Sequence, residues 1–483
     1  MITQIEIDGF KTFKDFKVEL APFQVIVGPN GSGKSNLFDA LHLLSRLADT
    51  DLLSAFQELR GDAGELFTKL PGGGTSERIR MAVEMLVDRK VRDELGKEVE
   101  LKYTRLRYEL EVVLRSDEYG LERPFITRES LKAIPTTRDE WSRKYKLSFQ
   151  NGWLPELTAN VATFIGEGHE RFPHSLRDIQ EDGTPPVFLF PDGGVREASP
   201  KYNLADLKRT VLSTMLSSDH SHAFAARQEL RSLRFIHLNP EVLRQPSLAS
   251  APPVLLGNGG NLPTTLARIR AQDPFAFHCV WLDLANLVPG ILDIELDEDE
   301  ARNQYIIRAK TDEQRSFSSQ VLSDGTLRLL ALATLRNDPQ FHGVLCLEEP
   351  ENGVHPSRLK NMVRLLRETA TDFSDPQQAD EPLRQVLVTT HSPTFISQSD
   401  VVDALLLAYT VIHVEPGKMP SLEITCMTPV ITSNKQSQPG EDAEDNKAIE
   451  AFTIDQVKKY LDSEGLDKAR ERLEKARATL NER

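Results

Sequence analysis

The segment Gly28-Pro29-Asn30-Gly31-Ser32-Gly33-Lys34-Ser35-Asn36 has the spacing G-x-x-x-x-G-K-[ST]. Gly28, Gly31 and Gly33 let the backbone curl until successive N–H groups converge on phosphate oxygens. Lys34 is spaced to reach the β- and γ-phosphates, and the Ser35 hydroxyl supplies one of the few protein oxygens that Mg2+ needs. Far downstream, the apolar run Val344-Leu345-Cys346-Leu347 ends in Glu348 and Glu349, and Val386-Leu387-Val388 ends at Thr389-Thr390-His391. Hydrolysis of a nucleoside triphosphate needs one acid for hydrated magnesium and one to position or deprotonate a water. Glu348 fits the metal role beside Ser35, Glu349 fits the water-positioning role, and His391 can hydrogen-bond the γ-phosphate or the water. Taken singly, the acids are polar residues at a strand end and His391 is a surface histidine. Their order behind a phosphate loop gives them a joint meaning.

Such residues need a strand, a loop and a helix to position them. Phe23 to Val27 is a short apolar run suited to a buried parallel strand, and Leu37, Ala40, Leu41, Leu44 and Leu47 recur at helical spacing after the loop. Residues 2 to 27 predict two or three short strands around the turn Asp8 to Phe13, with a second helical stretch to about Arg60. Two strand-like runs follow between Ile79 and Arg115. Residues 121 to 230 read as mixed, with helical stretches broken at 183–186 and 191–194. The expectation is an inserted arm over 61–230 without the sustained heptads of a coiled-coil rod.

Leu233 to Leu238 reads as a strand returning to the main fold, followed by an irregular proline-rich stretch to about Asn261, a helix from about Leu262 and a strand pair over 291–310. Leu322-Ser323-Asp324-Gly325-Thr326 opens a helix whose apolar residues are Leu327, Leu330, Ala331 and Leu335. A helix is expected from Pro356 to about Thr369, then an acidic loop, then strands at 404–408 and 410–414. A polar linker over about 433–446 precedes a tail in which Leu466, Ala469, Leu473, Ala476 and Leu480 form a narrow stripe. That stripe suits a partner-binding helix or a helix lying on its own domain equally well.

The net charge of −15 argues against a protein coated for non-specific nucleic-acid binding, while leaving room for a local basic groove. Residues 101–150 hold 11 Lys or Arg against 8 Asp or Glu, with Arg105, Arg107, Arg123, Arg128, Arg138, Arg143 and Lys144 among them. This stretch is a DNA-contact candidate or a solvated face of the arm. Cys279, Cys346 and Cys426 are widely spaced and form no metal or disulfide pattern. No apolar run reaches membrane-spanning length, and the N-terminus lacks the order of a signal peptide, so a cytoplasmic protein without a membrane partner is expected.

The motif set resembles the ABC-type ATPases of the RecF and SMC group, in the compact branch labelled RecF-like predicted ATPases. Gly28 to Asn36 resembles the Walker A loop, Leu322 to Thr326 the signature, Val344 to Glu349 the Walker B strand, Asn352 to His355 the D-loop, and His391 the switch histidine. Glu348 stands where most relatives have aspartate, Asp324 replaces the first signature glycine, and His355 replaces the D-loop aspartate. The Q-loop glutamine is not identifiable, and Gln245 is a weak candidate.

The resemblance implies an α/β fold: a P-loop NTPase core of the ABC/RecF-like kind with a large α+β insertion. Its parts would be 1–60 and 231–415 for the core, 61–230 for the insertion, and 416–483 for a strand, linker and helical tail. ATP and Mg2+ are the implied cofactors, with Asn30, Gly31, Gly33, Lys34, Ser35 and Asn36 at the nucleotide. Ser323 and Gly325 would contact the γ-phosphate held by a second protomer, which implies an ATP-dependent homodimer. Ser323 also reads as a plain helix cap.

The leading expectation is an ATPase whose dimer closure acts on DNA in repair, recombination or anti-phage defence. The alternative is a nucleotide-controlled scaffold for a separately encoded nuclease or toxin. A transporter motor fits poorly with the arm, and no nuclease domain is expected in the 92 residues given after His391.

Overall fold

Alternating apolar residues open the chain as three strands, β1 (Ile2–Asp8), β2 (Phe16–Glu19) and β3 (Phe23–Val27). β1 and β2 pair antiparallel about a turn at Gly9, whose φ is 78° and where a Cβ would meet the Arg78 carbonyl oxygen at 2.0 Å. β3 is buried along its length and leads through the glycine loop into α1 (Lys34–Leu47) and α2 (Leu52–Gln57). The computed structural model describes residues 1–70, 73–93, 96–116, 120–155, 162–167, 187–190, 201–204, 207–311, 315–413, 422–431, 452–453 and 457.

The next segment is mostly strand: β4 (Arg78–Leu86), a small hairpin of β5 (Lys90–Arg92) and β6 (Glu98–Glu100), then β7 (Arg105–Ser116) and β8 (Glu122–Ala133). The short helix α3 (Glu140–Lys144), β9 (Thr163–Glu167), β10 (Val187–Leu189), β11 (Lys201–Tyr202) and α4 (Ser221–Arg231) complete it. β8 departs from the expected mixed, partly helical reading. Its alternation is masked in sequence by Glu129 and Ser130, both buried in the core.

β12 (Arg234–Ile236) returns to the nucleotide-binding half, followed by α5 (Pro240–Leu243) and β13 (Ser247–Leu248) in the proline-rich stretch. The helix expected from Leu262 is two helices, α6 (Leu262–Gln272) and α7 (Pro274–Leu287), divided at Asp273, which caps α7 just before Pro274. Next come β14 (Ile291–Asp299), β15 (Gln304–Thr311), β16 (Ser316–Ser318), α8 (Asp324–Asn337) and β17 (Gly343–Glu348). α9 (Leu359–Thr369), β18 (Arg384–Thr390), α10 (Pro393–Ile396), β19 (Leu405–His413), β20 (Leu422–Ile431) and β21 (Phe452–Thr453) follow. β19 is one strand where two were expected, because its pairing with β20 runs unbroken from Leu406 to His413. The turns at 183–186 and 191–194, the linker at 433–446 and the helical tail lie outside the described residues.

Two sheets carry the architecture. One is eight-stranded in the order β11-β10-β9-β8-β7-β4-β1-β2, and one is seven-stranded in the order β12-β17-β18-β3-β19-β20-β21. The first draws β1 and β2 from before the phosphate loop and the rest from the expected insertion, so sheet pairing between β1 and β4 runs across position 61. In the second, β12, β17, β18, β3 and β19 are mutually parallel. β3, β17 and β18 are buried on both faces along nearly their whole length, as parallel strands usually are. Ile26, Cys346 and Leu387 join the core shared with α1, α4 and the eight-stranded sheet. Val25, Val27, Leu345, Leu347, Val386 and Val388 join the core under α6 to α9.

Candidate active site

Three strands of the parallel sheet deliver the expected residues to one edge. In register, Glu348 of β17 lies beside Thr389 of β18, while Thr389 and Thr390 lie beside Ile26 and Val27 of β3. The phosphate loop, the paired acids and His391 therefore all leave the carboxyl ends of adjacent strands, where open α/β sheets place their ligands.

In the loop, Gly31 and Gly33 have φ of 81° and 90°, and a Cβ at Gly28 would lie 2.4 Å from the Ala408 carbonyl oxygen on β19. Lys34 is 8% exposed, and its Nζ donates to the Gly28 and Pro29 carbonyl oxygens at 2.6 and 2.8 Å. Burial pushes the Lys34 ammonium below the ordinary lysine range, and the Glu349 and Glu348 carboxylates partly offset this. The N-terminus of α1 has no side-chain cap and no acid in its first turn. A buried ammonium inside a curled loop at an uncapped helix start fits a polyphosphate.

Asn30, Gly31 and Ser35 are exposed at this edge. The Asn36 side chain, expected at the nucleotide, instead donates from Nδ2 to Thr12 Oγ1 at 2.8 Å. Ser35 and the half-buried Glu348 offer oxygen donors suited to magnesium, which binds through one or two protein oxygens and keeps waters. Among the described residues no cluster of three or more His, Cys, Asp or Glu is placed to cage a metal.

Glu349 departs from the strand with φ of 46°, in the left-handed region that non-glycine residues seldom occupy. Its N–H donates to the Thr389 carbonyl at 2.9 Å, and the turn aims its carboxylate at His391. Oε1 lies 2.6 Å from His391 Nδ1, and Oε2 accepts from Asn352 Nδ2 at 2.8 Å. Burial opposes ionisation of Glu349. The hydrogen bonds from Asn352 and His391, with the fields of His391 and Lys34, outweigh it and hold the carboxyl below the usual glutamate range.

Glu351, which sequence reasoning passed over, is buried and accepts from the Thr390 hydroxyl, tying the turn after Glu349 to the strand end before His391. Burial raises its carboxyl above the ordinary range. The Glu-Glu-Pro-Glu-Asn run contained the signal for Asn352, since a turn brings the residue three positions on back to Glu349.

Ser323 caps α8: its Oγ accepts from the Thr326 N–H at 3.2 Å and lies 2.8 Å from Thr326 Oγ1. A Cβ on Gly325 would meet the Gly353 carbonyl oxygen at 2.5 Å, so the signature and D-loop segments touch at a point that admits only glycine. Arg244 ties this loop down through Nη2, which donates to Leu322 O at 2.9 Å and pairs with Asp324 Oδ1. Asp324, the departure from the usual signature, thus has a partner of its own. Gln245 is exposed, and its Nε2 donates to the Glu241 carbonyl at 3.4 Å.

The basic stretch reads differently in three dimensions. Arg105 is 4% exposed and grips Asp139 with two hydrogen bonds of 2.9 and 3.0 Å. Arg107 pairs with Glu6, Glu84 and Glu109, and Lys144 with Glu19. Arg105 is accordingly removed from the candidate DNA contacts, because its charge is internal.

A family model described as "AAA domain, putative AbiEii toxin, Type IV TA system" matches residues 193–397, and one described as "RecF/RecN/SMC N terminal domain" matches residues 1–58. The chromosome partition protein Smc of Bordetella petrii is 36% identical over 89 residues, which span 18% of this chain and 7% of that protein. Among solved structures, the SMC head domain from Thermotoga maritima aligns with 89% of this chain and 99% of its own at 13% identity and a TM-score of 0.36. An SMC head bound to the C-winged helix domain of ScpA aligns over 89% and 97% at 13% identity and a TM-score of 0.45.

Proposed function

We propose that the chain is an ATPase of the SMC/RecF-like ABC type, as its matches over 1–58 and 193–397 support, and that it binds and hydrolyses ATP at the edge where Lys34, Glu348, Glu349 and His391 converge. The observation that carries the reading is the Glu349 carboxylate, turned out of its strand and held ionised between His391 and Asn352. Lys34 would exchange its loop carbonyls for phosphate oxygens. Glu349, depressed below the usual range, suits orienting a water by accepting its hydrogen bond, with proton transfer following as the bond to phosphorus forms. His391 fixes one carboxylate oxygen and Asn352 the other. A magnesium ion held by Ser35 and Glu348 would neutralise charge on the phosphate oxygens. Phosphate release from ATP with Mg2+ tests this; a purified chain that neither binds ATP nor releases phosphate from it would overturn it.

We further infer an ATP-dependent homodimer in which Ser323 and the Gly325 amide of one protomer meet the γ-phosphate on the other. The four-part division at 60, 230 and 415 stays a proposal alongside it, as does a cytoplasmic location. No helix among the described residues is long and apolar enough to cross a membrane.

For the downstream role we propose action on DNA in repair, recombination or anti-phage defence. The second reading, a scaffold controlling a separately encoded nuclease or toxin, gains from the ion pairing that neutralises much of the basic stretch.

A further inference from the structure

Two consecutive residues of the turn between β1 and β2 reach helix α1. Lys11 Nζ pairs with Asp39 Oδ2 at 2.5 Å, and Thr12 Oγ1 accepts from Asn36 Nδ2 at 2.8 Å. Thr12 Oγ1 also lies 2.7 Å from Thr425 Oγ1, and the Thr425 N–H donates to the Thr12 carbonyl at 2.9 Å. Thr425 belongs to β20, 413 positions away, and is 2% exposed.

The same hydroxyl presses on the phosphate loop: a Cβ at Gly33 would lie 2.1 Å from Thr425 Oγ1. Gly33 has φ of 90° and immediately precedes Lys34, so its conformation sets where the first amides of α1 and the Lys34 stem begin. No side chain caps the N-terminus of that helix. Asn36, at its third residue, is the side chain that ties the turn to a neighbouring element. Thr12, Asn36 and Thr425 are all neutral, so the cluster places no negative charge beside an incoming phosphate.

We propose that Thr12 and Thr425 are positioning residues for nucleotide binding, holding Gly33 and the first turn of α1 in the phosphate-receiving conformation through Asn36 and through direct contact with Gly33. The proposal rests on the reading of this loop as the ATP site. Thr12 lies in the turn joining β1 and β2 of the eight-stranded sheet, whereas Thr425 belongs to β20 of the nucleotide-binding sheet, so the loop is held from both sides. A loop fixed before the ligand arrives loses less conformational freedom on binding, and removing the clamp weakens binding more than it slows chemistry.

The experiment compares the full chain with Thr12→Val, Thr425→Val, Thr12→Ser and Thr425→Ser, using MgATP as the probe. Valine keeps the shape and removes the hydroxyl; serine restores it. Thr12→Val removes the bonds to Asn36 and Thr425, and Thr425→Val the bond to Thr12; each is expected to weaken MgATP binding and raise KM by about three- to tenfold, the net worth of one or two hydrogen bonds, with kcat within about twofold of wild type. Each serine variant should return to within about twofold, and the double valine should fall short of the product of the singles because both remove one shared bond.

Thermal midpoints without nucleotide separate positioning from mere support. Valine variants that bind MgATP like wild type, or that lose only thermal stability, overturn the proposal. Failure of serine to restore binding overturns it too, by assigning the effect to the methyl group. If Thr425→Val does not fold, Thr12→Val reads the same bond from the other side, and failure of both to fold assigns the contact to the fold alone. A wild-type chain that does not bind MgATP instead overturns the underlying ATP-site reading, so the two failures are distinguishable.

Discussion

His391 Nδ1 and Glu349 Oε1 stand 2.6 Å apart although 42 positions separate them in the chain. The pair is built by β17 and β18 ending in register at one sheet edge, with the left-handed turn at Glu349 rotating its carboxylate across to the neighbouring strand. Asn352 holds the other oxygen, so both ends of the carboxylate are fixed before any substrate enters.

Glu349→Gln keeps the shape and one acceptor but removes the charge that the arrangement stabilises. It is expected to spare ATP binding and slow turnover by about a hundredfold or more. Lys34→Ala, in contrast, should impair binding itself, because Lys34 is the buried cation of the loop. Binding titrations and steady-state phosphate release on both variants check this, and normal turnover in Glu349→Gln would remove that residue from catalysis.

Glu348→Gln should raise the magnesium concentration needed for half-maximal turnover while leaving saturated turnover less affected than Glu349→Gln does. The side chain trades a charged ligand for a neutral oxygen, which a hard cation binds less tightly. Magnesium titrations at fixed ATP measure the shift, and an unchanged requirement would take Glu348 out of the metal role.

Glu129 makes stability depend on pH. Burial pushes its carboxyl up to about 7, against the pull of hydrogen bonds from the Leu212 and Val211 amides and Tyr108 Oη. The folded chain therefore retains a proton that the unfolded chain has released once pH exceeds the ordinary glutamate value. Stability falls as pH rises from about 4.5 to about 7 and levels off above. Denaturation midpoints should show this slope, and Glu129→Gln, although less stable overall, should flatten it.

What the sequence discloses follows from how local each piece of chemistry is. The phosphate loop and the acid-ended strand are contiguous, so spacing alone exposes Lys34, Ser35, Glu348 and Glu349. The buried polar pair Glu129 and Ser130 breaks the alternation by which β8 would be recognised, and the groups that satisfy Glu129 are distant in sequence, Tyr108 Oη 21 positions before it and the Val211 amide 82 positions on. Arg105 reads as surface charge because nothing in its neighbourhood marks the ion pair with Asp139, 34 positions away. Thr12 and Thr425 carry no local mark at all, and Arg244 was overlooked beside Gln245 because its partner Asp324 is 80 positions distant.

Ion pairing also sets the expectation for DNA. Lys144 is engaged with Glu19, and Arg143 donates to the Asp139 and Thr137 carbonyls. A salt titration of duplex binding with ATP present should therefore give the same slope for wild type and for Arg143→Ala with Lys144→Ala. A flatter slope in the double variant would return this stretch to the candidate DNA surface.

The contact between Gly325 and Gly353 makes the sharpest test of the composite site. A Cβ at Gly325 would lie 2.5 Å from the Gly353 carbonyl oxygen, a backbone atom that cannot rotate aside. Gly325→Ala must push the signature helix away from the D-loop segment, and overpacking of this kind costs about 1–3 kcal/mol. The Lys34 loop leaves β3, which β18 separates from β17, so displacement spares that loop and reaches the groups offered to a second protomer together with Asn352 beside Gly353. In a Glu349→Gln background, which holds ATP without turnover, Gly325→Ala should weaken ATP-dependent self-association by about ten- to a hundredfold with ATP binding by the monomer unchanged. Ser323→Arg should abolish association by filling the space where the neighbouring phosphate would meet the cap. Sedimentation velocity with ATP and with ADP reads both variants. The same oligomer in either nucleotide, unaffected by either substitution, would mean that Ser323 serves α8 only as its cap and that each site is complete within one chain.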